Sequence, residues 1–161
     1  MAKVIFICGK ICCGKTTYAH GLCRKNNAVL LSTDELMLAV WGQHCGEKHD
    51  EYAAKIQKYL LNKSLEIIAS GTDVVLDWGF WQKKQRDSLK EFYKSRNINC
   101  EFHCIDVPDE VWRERIKKRN EAVIEDEGIA YFVDENLAAK FESRFEMPTD
   151  DEIDVWIKTA D

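Results

Sequence analysis

An apolar run, Val4-Ile5-Phe6-Ile7-Cys8, leads directly into Gly9-Lys10-Ile11-Cys12-Cys13-Gly14-Lys15-Thr16. No other feature of the chain constrains its fold as tightly. The octet matches G-x-x-x-x-G-K-[ST], a match expected by chance in about one chain in a hundred of this length. Its context is the one the motif needs, with a buried strand before it and a helical stretch, Thr16–Lys25, after it. Glycine lets the backbone curl until its N–H groups converge on one anion. The following helix turns its positive end toward the same point.

The loop predicts binding of a nucleoside triphosphate, ATP with Mg²⁺ in the first instance. Lys15 is placed to reach the β- and γ-phosphates, and the Thr16 hydroxyl to ligate Mg²⁺. Gly9, Lys10, Ile11, Cys12, Cys13, Gly14, Lys15, Thr16 and Thr17 form the expected nucleotide-binding set. Cys12 and Cys13 are unusual fillings. The positive helix end is expected to favour thiolate at both.

Beyond the loop, short apolar runs alternate with amphipathic stretches. Strands are expected at 4–8, 29–31, 74–76, 100–106 and 154–158. Helices are expected from 16 to 25, from about 34, at 50–69 and 82–96, after Pro108, and at 134–144. The stretch 120–134 reads as irregular and acidic. Strands of this length alternating with helices indicate an α/β fold, a parallel sheet with helices on both faces. Ligands in such sheets bind at the carboxyl ends of the strands, so the residues just after each strand matter most.

Two of these are aspartates. Asp34 follows Leu31-Ser32-Thr33. It reads either as a carboxylate that takes the proton of an attacking hydroxyl or as the N-cap of the next helix, a task Ser32 or Thr33 could also perform. Asp77 ends Val74-Val75-Leu76 and reads as a metal-side carboxylate or as a turn residue. Trp78, Phe80 and Trp81 follow, with Trp41 expected near the same edge. They could floor an acceptor pocket or pack on the helix from Gln82. Arg115 and Arg119 stack on one face of a helix with no acid four residues away, and read either as two solvated arginines or as a pair aimed at an anion.

Composition narrows the function. Lys and Arg number 23 against 28 Asp and Glu, for a formal charge of -5, a balance that argues against nucleic acid as the partner. The run at 4–8 is too short for a signal-peptide core or a membrane span, so a cytoplasmic protein is expected. Seven cysteines without a C-x-x-C argue against a disulfide framework or zinc ribbon. Pro108 and Pro148 are the only prolines, and one domain is expected over 1–161.

Gly9–Thr16, Ser32-Thr33-Asp34, Val75–Trp81, Val107-Pro108-Asp109-Glu110 and the tail Phe145-Glu146-Met147-Pro148-Thr149-Asp150-Asp151-Glu152 together resemble the small P-loop kinases, AAA-family ATP-binding proteins. The pattern is similar to chloramphenicol phosphotransferase, zeta-toxin kinases and the kinase domain of polynucleotide 5′-kinase. The resemblance implies a five-stranded parallel sheet in the order 2-3-1-4-5. It implies Asp34 as general base, a small helical lid at about 120–140 with Arg115 and Arg119 near it, and a nucleotide base held near Phe145 and Pro148. The implied activity is transfer of the γ-phosphoryl of ATP to a hydroxyl of a small molecule. A 5′-hydroxyl nucleic-acid kinase and a non-catalytic ATP switch stay open as alternatives. The acceptor, ATP against GTP, and the oligomeric state are not legible.

Overall fold

The computed structural model describes residues 1–126 and 130–159. Strand β1 (Lys3–Gly9) is followed by α1 (Lys15–Asn26), β2 (Val29–Ser32), α2 (Thr33–Trp41), a short 3₁₀ turn (Gly46–Lys48) and α3 (His49–Ala69). Then come β3 (Val74–Gly79), α4 (Lys83–Lys94), β4 (Asn99–Asp106), α5 (Asp109–Glu125), α6 (Glu135–Arg144) and β5 (Val155–Lys158). The strands form one sheet in the order β2-β3-β1-β4-β5, and every neighbouring pair is parallel.

Alternation along the central strands explains the layering. Val4, Phe6 and Cys8 share one face with Val74, Leu76 and Phe102, and α3 and α4 close over them through Ile56, Leu60 and Tyr93. Ile5, Ile7, Val75 and Ile105 share the other face, which α1, α5 and α6 cover with Ala19, Trp112 and Phe141. A strand covered on both faces needs a near-continuous apolar run, and Val4 to Cys8 are all at most 1% exposed. Between α3 and α4 the Ser64 hydroxyl meets the Tyr93 phenol at 2.6 Å.

One expectation changes, and one open choice closes. Residues 120–125, expected to be irregular, continue helix α5 as far as Glu125. Trp112 and Val123 are buried on it, and tertiary packing outweighs the polar, acidic composition of the stretch. The aromatic group after β3 serves mainly as packing. Phe80 is buried edge-on against Phe6, and Trp81 meets Phe141 edge-on. Trp41 stacks on Tyr52 with ring centroids 4.7 Å apart.

The tail is fastened by a side chain that sequence reading passed over. Arg86, 2% exposed on α4, donates to Glu152 at 2.8 and 3.3 Å. It also donates to the carbonyls of Phe80 and Glu146 at 3.1 and 3.0 Å. Burial works to raise the Glu152 carboxyl, but the Arg86 bonds and the Thr149 N–H outweigh it and bring it down to about 2. This knot seats the segment after α6 against the end of β3.

Candidate active site

The loop after β1 turns on left-handed backbone at Gly9 (φ 143), Cys12 (φ 59) and Gly14 (φ 102). Gly9 tolerates no larger residue. A Cβ there would lie 2.7 Å from the Ile105 carbonyl oxygen and 2.9 Å from the Cys13 sulfur. Gly14 precedes the first turn of α1 with no side-chain cap, so the first N–H groups of that helix are left for another acceptor. Lys15 Nζ donates to the carbonyls of Lys10 (2.7 Å) and Gly9 (3.3 Å). Thr16 and Thr17 are exposed at the head of the helix.

Helix α5 braces this loop with residues three or four apart. Asp109 pairs with the Lys10 ammonium, and Trp112 Nε1 donates to the Ile11 carbonyl. Arg115 donates to the Cys13 carbonyl at 2.6 Å. Arg119 Nη1 contacts the Cys12 sulfur at 3.1 Å. Both arginines singled out from sequence therefore lie over the loop. The Asp109 and Trp112 contacts were missed, since nothing in their spacing names the partner.

The two loop cysteines differ. Cys13 is 1% exposed, and burial pushes its thiol up against the opposing pull of Lys15. The expectation of a thiolate-favouring setting fails for Cys13, because loss of water outweighs the helix end. Cys12 is half-buried and reaches solvent.

Asp77 and Asp34 close the other side. Asp77 pairs in register with Ser32, and its Oδ2 accepts from the Thr16 hydroxyl at 2.8 Å. Two hard oxygen donors at the head of α1 form a donor set suited to Mg²⁺. Asp34 stands in the first turn of α2, and the cap of that helix is Ser32, whose Oγ accepts from the Glu35 N–H at 3.3 Å. Capping therefore does not occupy Asp34. Solvent reaches Asp34, yet protein crowds its carboxyl. This partial loss of water raises its pKa, Asp77 adds repulsion, and Lys15, Arg119 and His49 oppose the rise.

At the outer end of the loop, Phe145 stacks on Phe141 with centroids 4.7 Å apart. It lines an open groove of about 200 Å³ with Lys10, Trp112 and Arg113. Pro148 is buried and is not a wall of that groove. Part of the expected lid, 127–129, lies outside the described residues.

A family described as the AAA domain matches residues 4–148. The chain belongs to that family. Its fold is that of the small P-loop kinases. It is similar to a sugar kinase from Janibacter sp. HTCC2649, with 18% identity, a TM-score of 0.64, and coverage of 98% of this chain and 86% of that one. The Mycobacterium tuberculosis APS kinase CysC, solved with AMPPNP and APS, matches at 15% identity and a TM-score of 0.67, over 98% and 88% of the two chains. Kti12 of Chaetomium thermophilum, solved with ADP-AlF3, matches at 19% identity and a TM-score of 0.67, over the same 98% and 88%. No curated protein matches the chain. Among the described residues, no helix of this AAA-domain protein is long and apolar enough to cross a membrane.

Proposed function

We propose that this protein transfers the γ-phosphoryl group of ATP to a hydroxyl of a small molecule. The observation that carries the reading is the division of labour at the head of α2, where Ser32 caps the helix and Asp34 is left as a carboxylate that solvent reaches. A nucleotide switch has no use for such a group, whereas a kinase needs one beside its phosphate loop. The net charge of -5 weighs against a nucleic-acid acceptor.

The loop N–H groups and the head of α1 cradle the phosphates, and Lys15 exchanges its carbonyl partners for phosphate oxygens. Lys10 contributes through its backbone, because its ammonium is paired with Asp109. Thr16 and Asp77 would hold Mg²⁺, directly or through water. When bound there, the ion neutralises charge on the β- and γ-phosphates. Asp34 takes the proton of the acceptor hydroxyl. The hydroxyl oxygen then bonds to the γ-phosphorus, the bond from phosphorus to the β–γ bridging oxygen breaks, and ADP leaves with that electron pair. Arg119 steadies the charge that develops on the moving group, while Arg115 holds the loop through the Cys13 carbonyl. Phe145 and the groove beside it offer the nucleotide base an apolar wall.

The test is transfer from γ-labelled ATP to pooled metabolites. Lys15→Ala should lower transfer by a factor on the order of a thousand. Asp34→Asn should lower it by about a hundredfold or more while ATP affinity stays within a few-fold. Since crowding raises the Asp34 pKa, the rate should fall as pH drops through a value above that of an ordinary aspartate and level off at higher pH. Loss of ATP binding in Asp34→Asn would move this residue to the metal side and sink the assignment.

A further inference from the structure

Helix α6 and its C-cap, Phe145, present two stripes of side chains at helical spacing. Phe141 and Phe145 form one, stacked with ring centroids 4.7 Å apart beside the groove that Lys10 and Trp112 also line. Lys140 and Arg144, each one position earlier, form the other. Two cations four residues apart repel one another. Neither has an acid three or four positions away within the helix.

Their counterion comes from a distant part of the chain. Asp50, in the first turn of α3, accepts from Lys140 Nζ with both carboxylate oxygens, at 3.0 and 3.1 Å. Arg144 lies 3.8 Å from the same carboxylate, and His49 Nδ1 lies 3.4 Å from it. The Lys140 ammonium holds the Asp50 carboxyl below the usual aspartate range. Capping does not occupy Asp50, since α3 has no side-chain cap hydrogen bond.

Each partner is fixed to a different part of the site. Behind Lys140 stands the groove proposed for the nucleotide base. Phe141 is 2% exposed and packs on Trp112, which bonds the phosphate loop at the Ile11 carbonyl. Behind Asp50 stands the helix pair that carries Asp34. Met37 of α2 and Ile56 of α3 share one buried cluster, and Trp41 of α2 stacks on Tyr52 of α3, two residues past Asp50. Gln43, just past the end of α2, accepts from the Phe132 N–H at 3.1 Å. That tie reaches the segment ahead of α6 and not α6 itself.

We propose that Asp50 is a positioning residue and that its pair with Lys140 is a clasp coupling donor to acceptor. A nucleotide base seated against Phe145 steadies α6, and the clasp passes that order to the start of α3 and so to the helix pair bearing Asp34. Such coupling is reciprocal, so each substrate binds more tightly when the other is present. The clasp is exposed, which limits what it can transmit to about fivefold. The proposal rests on the kinase reading above.

Hydrogen–deuterium exchange of the whole chain, with and without saturating AMPPNP–Mg²⁺, tests the clasp with no acceptor needed. In the parent, the nucleotide should slow exchange of the amides in 49–56 by about threefold. Asp50→Asn removes the charge and keeps the shape. It should abolish that slowing while AMPPNP affinity, measured by calorimetry, stays within about threefold. The reversed pair, Asp50→Lys with Lys140→Glu, sets the new carboxylate four residues before Arg144 and should bring the slowing back. A purely structural Asp50 would instead change exchange of 49–56 by the same factor with and without nucleotide. That result, an absence of slowing in the parent, or a reversed pair that behaves like Asp50→Asn would overturn the clasp and leave the kinase reading standing. Failure of the parent to bind AMPPNP would overturn both.

Discussion

Cys12 and Cys13 are neighbours in sequence and opposites in setting. One sulfur is half-buried beside the Arg119 guanidinium. The other lies under Gly9, out of water, with its thiol held up by burial. Reagents that attack thiols need access and thiolate. Iodoacetamide should therefore label Cys12 at least tenfold faster than Cys13, and ATP–Mg²⁺ should slow the Cys12 reaction several-fold. Peptide mass spectrometry resolves the two sites, and equal labelling would refute the distinction. The adjacent letters in the loop do not separate these thiols. Which side of a left-handed turn each occupies is a backbone fact, set by φ 59 at Cys12. Asp34 teaches the same lesson. Its sequence supports a cap and a base equally, and the Ser32 bond to Glu35 removes the first.

At the scale of the element, α5 is the brace of the phosphate loop. Asp109, Trp112, Arg115 and Arg119 recur at helical spacing and meet Lys10, Ile11, Cys13 and Cys12 of the loop respectively. The arginines divide into two jobs on this geometry. Arg115 bonds a loop carbonyl, so Arg115→Ala should loosen ATP binding about tenfold and reduce turnover with it. A charged hydrogen bond of this kind is worth about 1.5–3 kcal/mol. Arg119 touches no loop backbone among its described bonds, so Arg119→Ala should reduce turnover more than tenfold with ATP affinity within about threefold. Lysine should rescue Arg119 only in part, since it lacks the fork. Calorimetric ATP titration beside steady-state turnover separates the two, and an Arg119→Ala variant with at least half the parent turnover would refute its role. The spacing of the arginines was visible in the sequence. Their target was not, because 102 and 107 positions separate donor from acceptor.

Across the whole molecule, Arg86 and Glu152 join α4 to the tail and place the segment after α6. Glu152 falls from an ordinary 4.5 to about 2 in the folded state. A depressed carboxyl stabilises fully above its unfolded value, that ordinary 4.5, and loses the contribution as pH falls toward 2. Glu152→Gln should destabilise the protein by about 3 kcal/mol at pH 7, and the difference from the parent should close between about pH 4.5 and 2. Urea unfolding across that range measures it, and a gap that persists at the acid end would refute the linkage. In sequence Arg86 sits in the polar run Lys83-Lys84-Gln85-Arg86-Asp87 and reads as a solvated cation. Only the fold removes it from water.

Sequence alone determined what is local. A glycine octet between an apolar strand and a helix dictates the phosphate loop, because φ freedom, helix-end N–H groups and a lysine at fixed spacing act within a few residues of one another. Apolar runs of strand length alternating with helices dictate a parallel sheet. The order of its strands came from resemblance and not from periodicity. Tertiary structure decided what is distant: register that sets Asp77 opposite Ser32, burial of Cys13 and Arg86, and the bonds by which Gln43 and Asn120 hold Phe132 and Val133. Side-chain period and propensity record which face a residue occupies. They do not record which other face, 60 or 100 residues away, meets it.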